Sequence, residues 1–142
     1  MKLFVVTPHY SDPNFTSKKK LLIEIGDKYG IEVIFGSNKG SETDVNESLA
    51  LLESADLVLA DLSLERPSCY YEVGFAQSKN KSVYLIANVG TEIHQVRSKD
   101  KIQVYKNLSN YEELIDKFFQ ELHSVEKVST SERANNPCAA DG

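Results

Sequence analysis

The sequence predicts an α/β protein with a doubly wound, five-stranded parallel sheet arranged in three layers. Short, continuous apolar runs alternate along the chain with longer segments whose apolar residues recur at helical spacing. The length of 142 residues suits one domain, and a composition of 41% hydrophobic and 26% charged residues is typical of a globular protein with a buried core. We therefore expect one domain built from alternating strands and helices.

The predicted strands are apolar on successive residues, as expected for strands that are covered on both faces of a parallel sheet. The first reads LFVVT, the second IEVIF, the third DLVLAD, the fourth SVYLIA and the fifth IQVY. These strands cover residues 3–7, 31–35, 56–61, 82–87 and 102–105.

The predicted helices lie between these strands and after the last one. The first carries Leu21, Leu22 and Ile25 at helical spacing and ends at Gly30, a residue that commonly stops helices. The four helices cover residues 17–29, a segment that begins at residue 43 or 44, residues 70–79 and residues 111–123.

Strands joined by helices of this length predict right-handed parallel crossovers, and hence a flavodoxin-like or Rossmann-like sheet with flavodoxin-like strand order. In such sheets ligands bind beyond the carboxyl ends of the strands. The loops expected at that edge cover residues 8–15, 36–43, 61–72 and 88–94.

The last eighteen residues differ from the rest of the chain. All thirteen Tyr and Phe residues precede residue 125. A segment without them buries too little apolar surface to offset its loss of conformational entropy. We therefore expect a domain over residues 1–124 and a flexible C-terminal tail over residues 125–142.

Charge and composition exclude several classes of partner. A net charge of −5 disfavours polymeric nucleic acid, and no apolar run is long enough for a membrane span or a secretory signal. Cys69 and Cys138 match no metal-binding spacing. We expect a cytoplasmic protein that binds neither membranes nor metals and needs no cofactor.

The third crossover contains the candidate catalytic residues. Asp61 ends a buried strand, and Glu72 is expected in the first turn of the next helix, among apolar neighbours. A carboxylate there can act as a nucleophile or as an acid or base, with a pKa tuned by burial and by the helix terminus. Glu72 can also simply favour the helix dipole, and Asp61 can simply cap the next turn. The small residues Gly74 and Ala76 are expected to let this helix pack closely on the sheet.

The residues of this crossover resemble the nucleoside 2-deoxyribosyltransferase-like family, which includes nucleotide N-glycosidases and borders on TIR-like domains. The resemblance rests on ADLVLADLS, on Pro67, on the block YEVGFA and on KSVYLI. Pro8 and Tyr10 after the first strand are also similar, so the resemblance covers most of residues 1–124.

The resemblance implies roles for individual residues. Glu72 would be the nucleophile that attacks the anomeric carbon of a nucleoside and forms a glycosyl ester. Asp61 would contact the sugar or the base, and Tyr10 or its neighbour His9 would orient the nucleophile or cover the base. Pro8 and Gly74 would complete the substrate site, and a homodimer or higher homo-oligomer would complete the pocket.

Arg66 departs from the pattern of the transferases, which usually carry Asp or Ser at that position. An arginine can bind a 5′-phosphate bidentately, which favours a nucleotide over a nucleoside, or it can be a solvated loop charge. Ser68 can cap the helix or donate to that phosphate, and capping is the simpler interpretation. The run Lys18–Lys20 is expected to be a solvated helix start, and approach to a phosphate is the alternative.

Two classes of function fit these observations. The first is an enzyme that cleaves the N-glycosidic bond of a (deoxy)nucleoside or nucleoside 5′-monophosphate, by hydrolysis or base exchange. The second is a TIR-like nucleotide-binding sensor or scaffold without catalysis. A response-regulator receiver would need acidic residues directly after the first strand, and a flavodoxin would need a glycine-containing phosphate loop there, so both are disfavoured.

Overall fold

The computed structural model describes the backbone of residues 1–36 and 42–135 and the side chains of residues 1–36 and 45–126. The strands are β1 (Lys2–Val6), β2 (Glu32–Phe35), β3 (Leu57–Asp61), β4 (Val83–Asn88) and β5 (Gln103–Tyr105). The helices are α1 (Phe15–Tyr29), α2 (Glu42–Ser54), α3 (Pro67–Ser78) and α4 (Leu108–Asn135). Two short 3₁₀ turns, Ser63–Glu65 and Lys99–Lys101, lie between them.

The five strands form one parallel sheet in the order β2-β1-β3-β4-β5. This is the flavodoxin-like order, so the predicted fold class is confirmed. After β1, the chain adds β2 on one side of β1 and then β3 on the other side, so the strand order changes direction between β1 and β3. The carboxyl ends of these two strands therefore flank the expected ligand crevice.

Alternate residues of the central strands face two separate apolar cores, because successive side chains of a strand point to opposite faces. Leu3 and Val5 face the core shared with α1 and α4, whereas Phe4 and Val6 face the core shared with α2 and α3. These four residues of β1 are each at most 2% exposed. Helices on both faces complete the three predicted layers.

Several element boundaries differ from the predicted ones. Helix α3 begins at Pro67, three residues early, because proline suits the first turn of a helix, where its missing N–H costs nothing. Helix α1 ends as predicted, with Gly30 in the left-handed conformation at a φ of 70°.

Helix α4 extends beyond residue 124, the predicted end of the domain. Its backbone is helical as far as Asn135, and the exposed side chain of Val125 contributes little to the core. The domain boundary and the flexible tail stay predictions. Cys138 lies outside the described residues, and part of the polar loop over residues 36–43 does so as well. No helix in the described part of the chain is long and apolar enough to cross a membrane.

Candidate active site

A small cleft lies beyond the carboxyl ends of β1 and β3, between the loop that follows β1 and the start of α3. Its volume is about 200 Å³. The structure brings five of the predicted site residues together here, with Thr7 and Ser11 completing the wall. Those five are Pro8, His9, Tyr10, Arg66 and Ser68.

The two aromatic residues of this cleft differ in how firmly they are held. The His9 ring stacks on Phe15 with 4.3 Å between ring centroids, and burial together with the nearby Lys19 charge lowers the pKa of His9. His9 is therefore neutral at neutral pH. The side chain of Tyr10 is 85% exposed, so its ring is free to meet a ligand or a second protein surface.

The connection from β3 to α3 is strained. Leu64 and Glu65 have φ angles of 65° and 51°, which is a costly conformation for residues other than glycine. Arg66 is extended, with a φ of −76° and a ψ of 123°, because the following Pro67 disfavours a helical conformation at that position. The strained turn and the proline together set where the Arg66 side chain leaves the backbone.

Ser68 does not cap α3. It is the second residue of the helix, and no side-chain hydrogen bond caps the helix start. The capping interpretation is therefore wrong, because the helix begins earlier than the sequence pattern predicts. Ser68 is one of the residues that line the cleft.

Glu72 lies in the second turn of α3, so its predicted place in the first turn is wrong. The first turn of α3 contains no acidic residue. Because the effect of a helix dipole fades within one turn, this also contradicts the interpretation that Glu72 only favours the dipole. Glu72 follows Ser68 by four residues and therefore lies on the same face of the helix, one turn farther along.

The Glu72 carboxyl is desolvated by burial. Its side chain is half-buried, and burial raises the pKa of Glu72 to about 7. Among the described side chains, no hydrogen-bond donor or cation pairs with it. A carboxyl group with these properties changes charge near neutral pH and can accept a bond or exchange a proton.

Asp61 has the opposite environment. It is 1% exposed, and both of its oxygens are already bonded. Oδ1 accepts the Ser63 N–H at 3.0 Å, as the capping interpretation anticipated, and Oδ2 accepts the Tyr105 hydroxyl at 2.6 Å. The Lys18 ammonium lies 3.7 Å from Oδ2. The predicted contact between Asp61 and a substrate stays a prediction.

Lys18 organises the buried polar network around Asp61. Its Nζ donates to Asp12 Oδ2 at 2.7 Å and to the Tyr105 hydroxyl at 2.8 Å. The Tyr105 hydroxyl lies 3.0 Å from Ser63 Oγ, which accepts the backbone N–H of Asn88. The network therefore joins α1, the loop ends of β3 and β4, and β5.

The solvated helix start predicted for Lys18–Lys20 is wrong for Lys18, which is only 4% exposed. Lys19 and Lys20 are exposed as expected. The sequence does contain a signal for this burial, because Lys18 precedes the apolar residues Leu21, Leu22 and Ile25 by three, four and seven positions. That spacing places the lysine on the face of α1 that packs on the sheet.

Solved structures of two enzymes share this architecture. The Clostridium botulinum CMP N-glycosidase BcmB matches with a TM-score of 0.64 and 17% identity over 82% of this chain and 98% of its own. A 2-deoxyribosyltransferase from Bacillus psychrosaccharolyticus matches with a TM-score of 0.59 and 16% identity over 79% of this chain and 90% of its own. The chain has the nucleoside 2-deoxyribosyltransferase-like fold.

The same architecture also occurs inside a larger protein of another kind. The Escherichia coli constitutive lysine decarboxylase matches 87% of this chain with 18% of its own, at a TM-score of 0.53 and 13% identity. No protein-family model and no curated protein sequence matches this chain. The fold expected from the resemblance is confirmed, while the reaction must be argued from the site.

Within this 2-deoxyribosyltransferase-like fold, Cys69 is not a competing nucleophile. Its thiol is buried, and burial, followed by the charges of Glu72 and Asp61, raises the pKa of Cys69 to about 12. The thiol therefore stays protonated at neutral pH. These charge effects also show that Asp61 and Glu72 act on one small region at the start of α3.

Gly74 does not pack against the sheet. A Cβ atom built on it meets no heavy atom within 4 Å, so the close packing predicted for this residue is wrong, whereas Ala76 is fully buried as expected. Gly74 is exposed on the outer side of α3. Its predicted role in substrate binding requires a ligand or a second subunit that reaches over this helix.

A second cleft of about 380 Å³ adjoins the buried network. Asp12, Lys18, Ser63 and Asn88 line it, together with the loop that follows β4. In the described part of the chain, no three His, Cys, Asp or Glu side chains form a potential metal site.

Proposed function

We propose that this protein cleaves the N-glycosidic bond of a (deoxy)nucleoside or a nucleoside 5′-monophosphate, by hydrolysis or base exchange, with Glu72 as the nucleophile. The observation that carries the proposal is the desolvated carboxyl of Glu72, which has no pairing partner among the described side chains. Glu72 lies one helical turn beyond Ser68, a residue of the cleft wall, although Glu72 itself does not line the cleft. A glycosidase needs such a carboxylate to meet the positive charge that develops on the sugar.

The proposed reaction has two balanced steps. One Glu72 oxygen forms a bond to the anomeric carbon while the bond from that carbon to the base nitrogen breaks. The electron pair leaves with the base, which takes up a proton from the solvent. Water, or the N–H nitrogen of a second base, then displaces Glu72 from the sugar and loses a proton to the solvent, which restores the carboxylate and gives hydrolysis or exchange.

Other residues of the cleft would position the substrate. Arg66 and Ser68 would bind a 5′-phosphate, because a guanidinium and a hydroxyl supply several donors at the start of a helix. Pro8, His9 and Tyr10 would flank the base or the sugar. Asp61 is 1% exposed and both of its oxygens are bonded, so its proposed contact with the substrate requires one of these hydrogen bonds to open. Each of these roles is a proposal that rests on the position of the side chain.

We further propose that the active form is a homo-oligomer. A cleft of about 200 Å³ is smaller than the roughly 300–1,000 Å³ typical of small-molecule sites, so it needs further walls. The exposed ring of Tyr10 is available to contact a neighbouring copy. Light scattering should give a mass above that of a monomer, and a strictly monomeric mass would contradict this part of the proposal.

The reaction is tested by incubating the protein with each deoxynucleoside and each 5′-monophosphate and measuring free base by chromatography. We expect release from at least one substrate, and a loss of at least about 10³-fold in Glu72→Ala. Glu53→Gln is the matched control, because this exposed carboxylate of α2 pairs with Lys79 on the surface. Release that survives Glu72→Ala would exclude the nucleophile.

The same assay decides the alternative function. If no substrate releases base while nucleotides still bind, the protein is a nucleotide-binding module of the TIR-like kind. Arg66→Glu tests the phosphate contact within either function. It should weaken binding of monophosphates and leave nucleosides unaffected, and an equal loss for both would contradict the phosphate role of Arg66.

A further inference from the structure

Strand β4 has an open edge at its beginning. On one side, its residues Val83, Tyr84, Leu85 and Ile86 pair with β3. On the other side, β5 pairs only with residues 86–88. Within the described part of the chain, residues 83–85 therefore have a strand neighbour on one side only. Backbone groups at such an edge can pair with an added strand.

A cleft of about 830 Å³ runs along this open edge, and it is larger than both clefts beyond the carboxyl ends of the strands. Val83, Tyr84 and Leu85 form one wall. The other walls come from the end of α3 and from the segment that leads into β5. The cleft therefore gives a ligand access to the unpaired part of the strand.

The side chains around this cleft are basic although the whole chain is acidic. Among the described residues that line the cleft, Lys81, Arg97 and Lys101 contribute three positive charges and Asp100 contributes one negative charge. The local excess of two positive charges contrasts with the net charge of −5 of the protein. Lys81 donates to the Ala55 carbonyl, whereas Arg97 and Lys101 are exposed at the rim.

The outer wall of the cleft is fixed to α3. Gln77 Nε2 donates to the Arg97 carbonyl at 2.9 Å, and Arg97 Nη1 donates to the Gln77 carbonyl at 3.3 Å. Ser98, the next residue, has a φ of 66° and turns the chain toward β5. This reciprocal pair joins the segment before β5 to the end of α3 at the rim of the cleft.

We propose that this cleft binds an extended, acidic segment of a partner protein, which adds as a strand to residues 83–85 of β4. Backbone hydrogen bonds to the open edge would supply the affinity, and acidic side chains would meet Arg97 and Lys101. The surface lies along the beginning of β4, whereas the candidate active site lies beyond the ends of β1 and β3. The proposal is therefore independent of the proposed reaction.

The test uses a short, capped peptide of alternating valine and glutamate, with binding followed by fluorescence anisotropy and by hydrogen exchange of the backbone amides of residues 83–85. We expect binding that slows exchange at these amides and weakens with salt. A peptide with lysine in place of glutamate, and an acidic peptide methylated on alternate backbone nitrogens, should both fail to bind. Equal binding of the methylated peptide would show a simple anion site and overturn the proposal.

Charge reversal separates the cleft from the rest of the surface. Lys101→Glu should weaken binding of the acidic peptide roughly 5- to 10-fold. Lys99→Glu, in the same 3₁₀ turn but outside the cleft lining, should change it less than about 2-fold. The absence of peptide binding would overturn the proposal. If the wild type does not bind the peptide and Lys101→Glu associates with itself, the proposal is also overturned. Lys101 would then act only to prevent the open edge of β4 from pairing with another copy.

Discussion

Asp61 and Glu72 are carboxylic acids of the same crossover, yet they occupy opposite environments. Asp61 is enclosed and accepts hydrogen bonds from Ser63 and Tyr105, with the Lys18 ammonium nearby. Glu72 is half-buried, has no bonding partner among the described side chains and has its pKa raised to about 7. The first group is held in place, and the second is left available.

The difference indicates that, at this edge of the sheet, one carboxyl group is fixed by its partners and another remains able to react. Burying a charge is tolerated when a counter-ion and hydrogen bonds replace water, as they do at Asp61. A carboxyl that loses water without such replacements is less stable in its ionised form, so its pKa rises and it readily takes up a proton. We expect the Asp61 region to govern stability and the Glu72 region to govern chemistry.

Removing the charge at the centre of the network should have the largest effect on stability. Lys18→Met leaves the buried carboxylates of Asp12 and Asp61 without their shared counter-ion. The free energy of unfolding should fall by about 3–5 kcal/mol, as measured by urea denaturation. Lys20→Met is the control, because its exposed i,i+4 pair with Glu24 contributes less than about 0.5 kcal/mol. A loss below about 1 kcal/mol in Lys18→Met would show that the network does not stabilise the fold.

Glu72→Gln should have the opposite effect on stability, and the effect should depend on pH. The folded-state pKa of about 7 lies above the ordinary value of 4.5, so the folded protein binds more protons than the unfolded chain between these values. The stability of the wild type should therefore fall as pH rises from about 4.5 to about 7 and then level off. The whole change is at most about 3 kcal/mol.

Urea denaturation of the wild type and Glu72→Gln at several pH values measures this difference. The variant should gain stability relative to the wild type as pH rises through that window. A constant difference between the two proteins would mean that Glu72 titrates normally. Activity gives an independent result, because a nucleophile must be ionised and base release should increase as pH rises through about 7, whereas a general acid requires the reverse.

Tyr105→Phe tests how far the rigidity of Asp61 depends on one hydroxyl. The substitution keeps the aromatic ring and removes a 2.6 Å hydrogen bond to a buried carboxylate. Hydrogen bonds to charged groups contribute about 1.5–3 kcal/mol, so a loss of about 2 kcal/mol in the free energy of unfolding is expected. Tyr84→Phe is the matched control, since the half-buried Tyr84 stacks on Phe118 and its hydroxyl makes no hydrogen bond in the described part of the chain. Equal losses in the two variants would contradict the special role of the Tyr105 hydroxyl.

The sheet was predictable from the sequence because each strand can be recognised from its own residues. Each buried strand is a continuous apolar run, and the alternation of strands with helices leaves few possible strand orders. The position of the cleft residues at one edge of the sheet was also predictable. Pro8 follows the first predicted strand, and Arg66 lies in the loop between the third strand and the next helix.

The buried network was not predictable, because its contacts join residues far apart in the chain. Lys18 and Tyr105 are separated by 87 positions, and Asp61 and Tyr105 by 44. The helical spacing of Lys18 to Leu21 and Leu22 indicates that this lysine is buried, but it does not indicate the partners of the lysine. Nothing local distinguishes Tyr105 from the other tyrosines. The predicted start of α3 is wrong for a different reason. The sequence pattern places Pro67 in the loop before the helix, so it predicts Glu72 in the first turn, whereas Glu72 lies in the second turn.

The smallest predicted effect concerns Gly74, which lies two residues from Glu72 but faces outward. A Cβ atom there meets open space, and the residue is in the interior of α3, so Gly74→Ala should stabilise the protein by about 0.5–1 kcal/mol. If only the inner side of the helix meets the substrate, base release should be unchanged. If release is lost while stability rises, a ligand or a neighbouring subunit must approach the backbone at Gly74, and the site would then extend over the outer side of α3. Urea denaturation and the base-release assay on one preparation distinguish these results, and Ser78→Ala, an exposed residue at the end of the same helix, controls for general effects on α3.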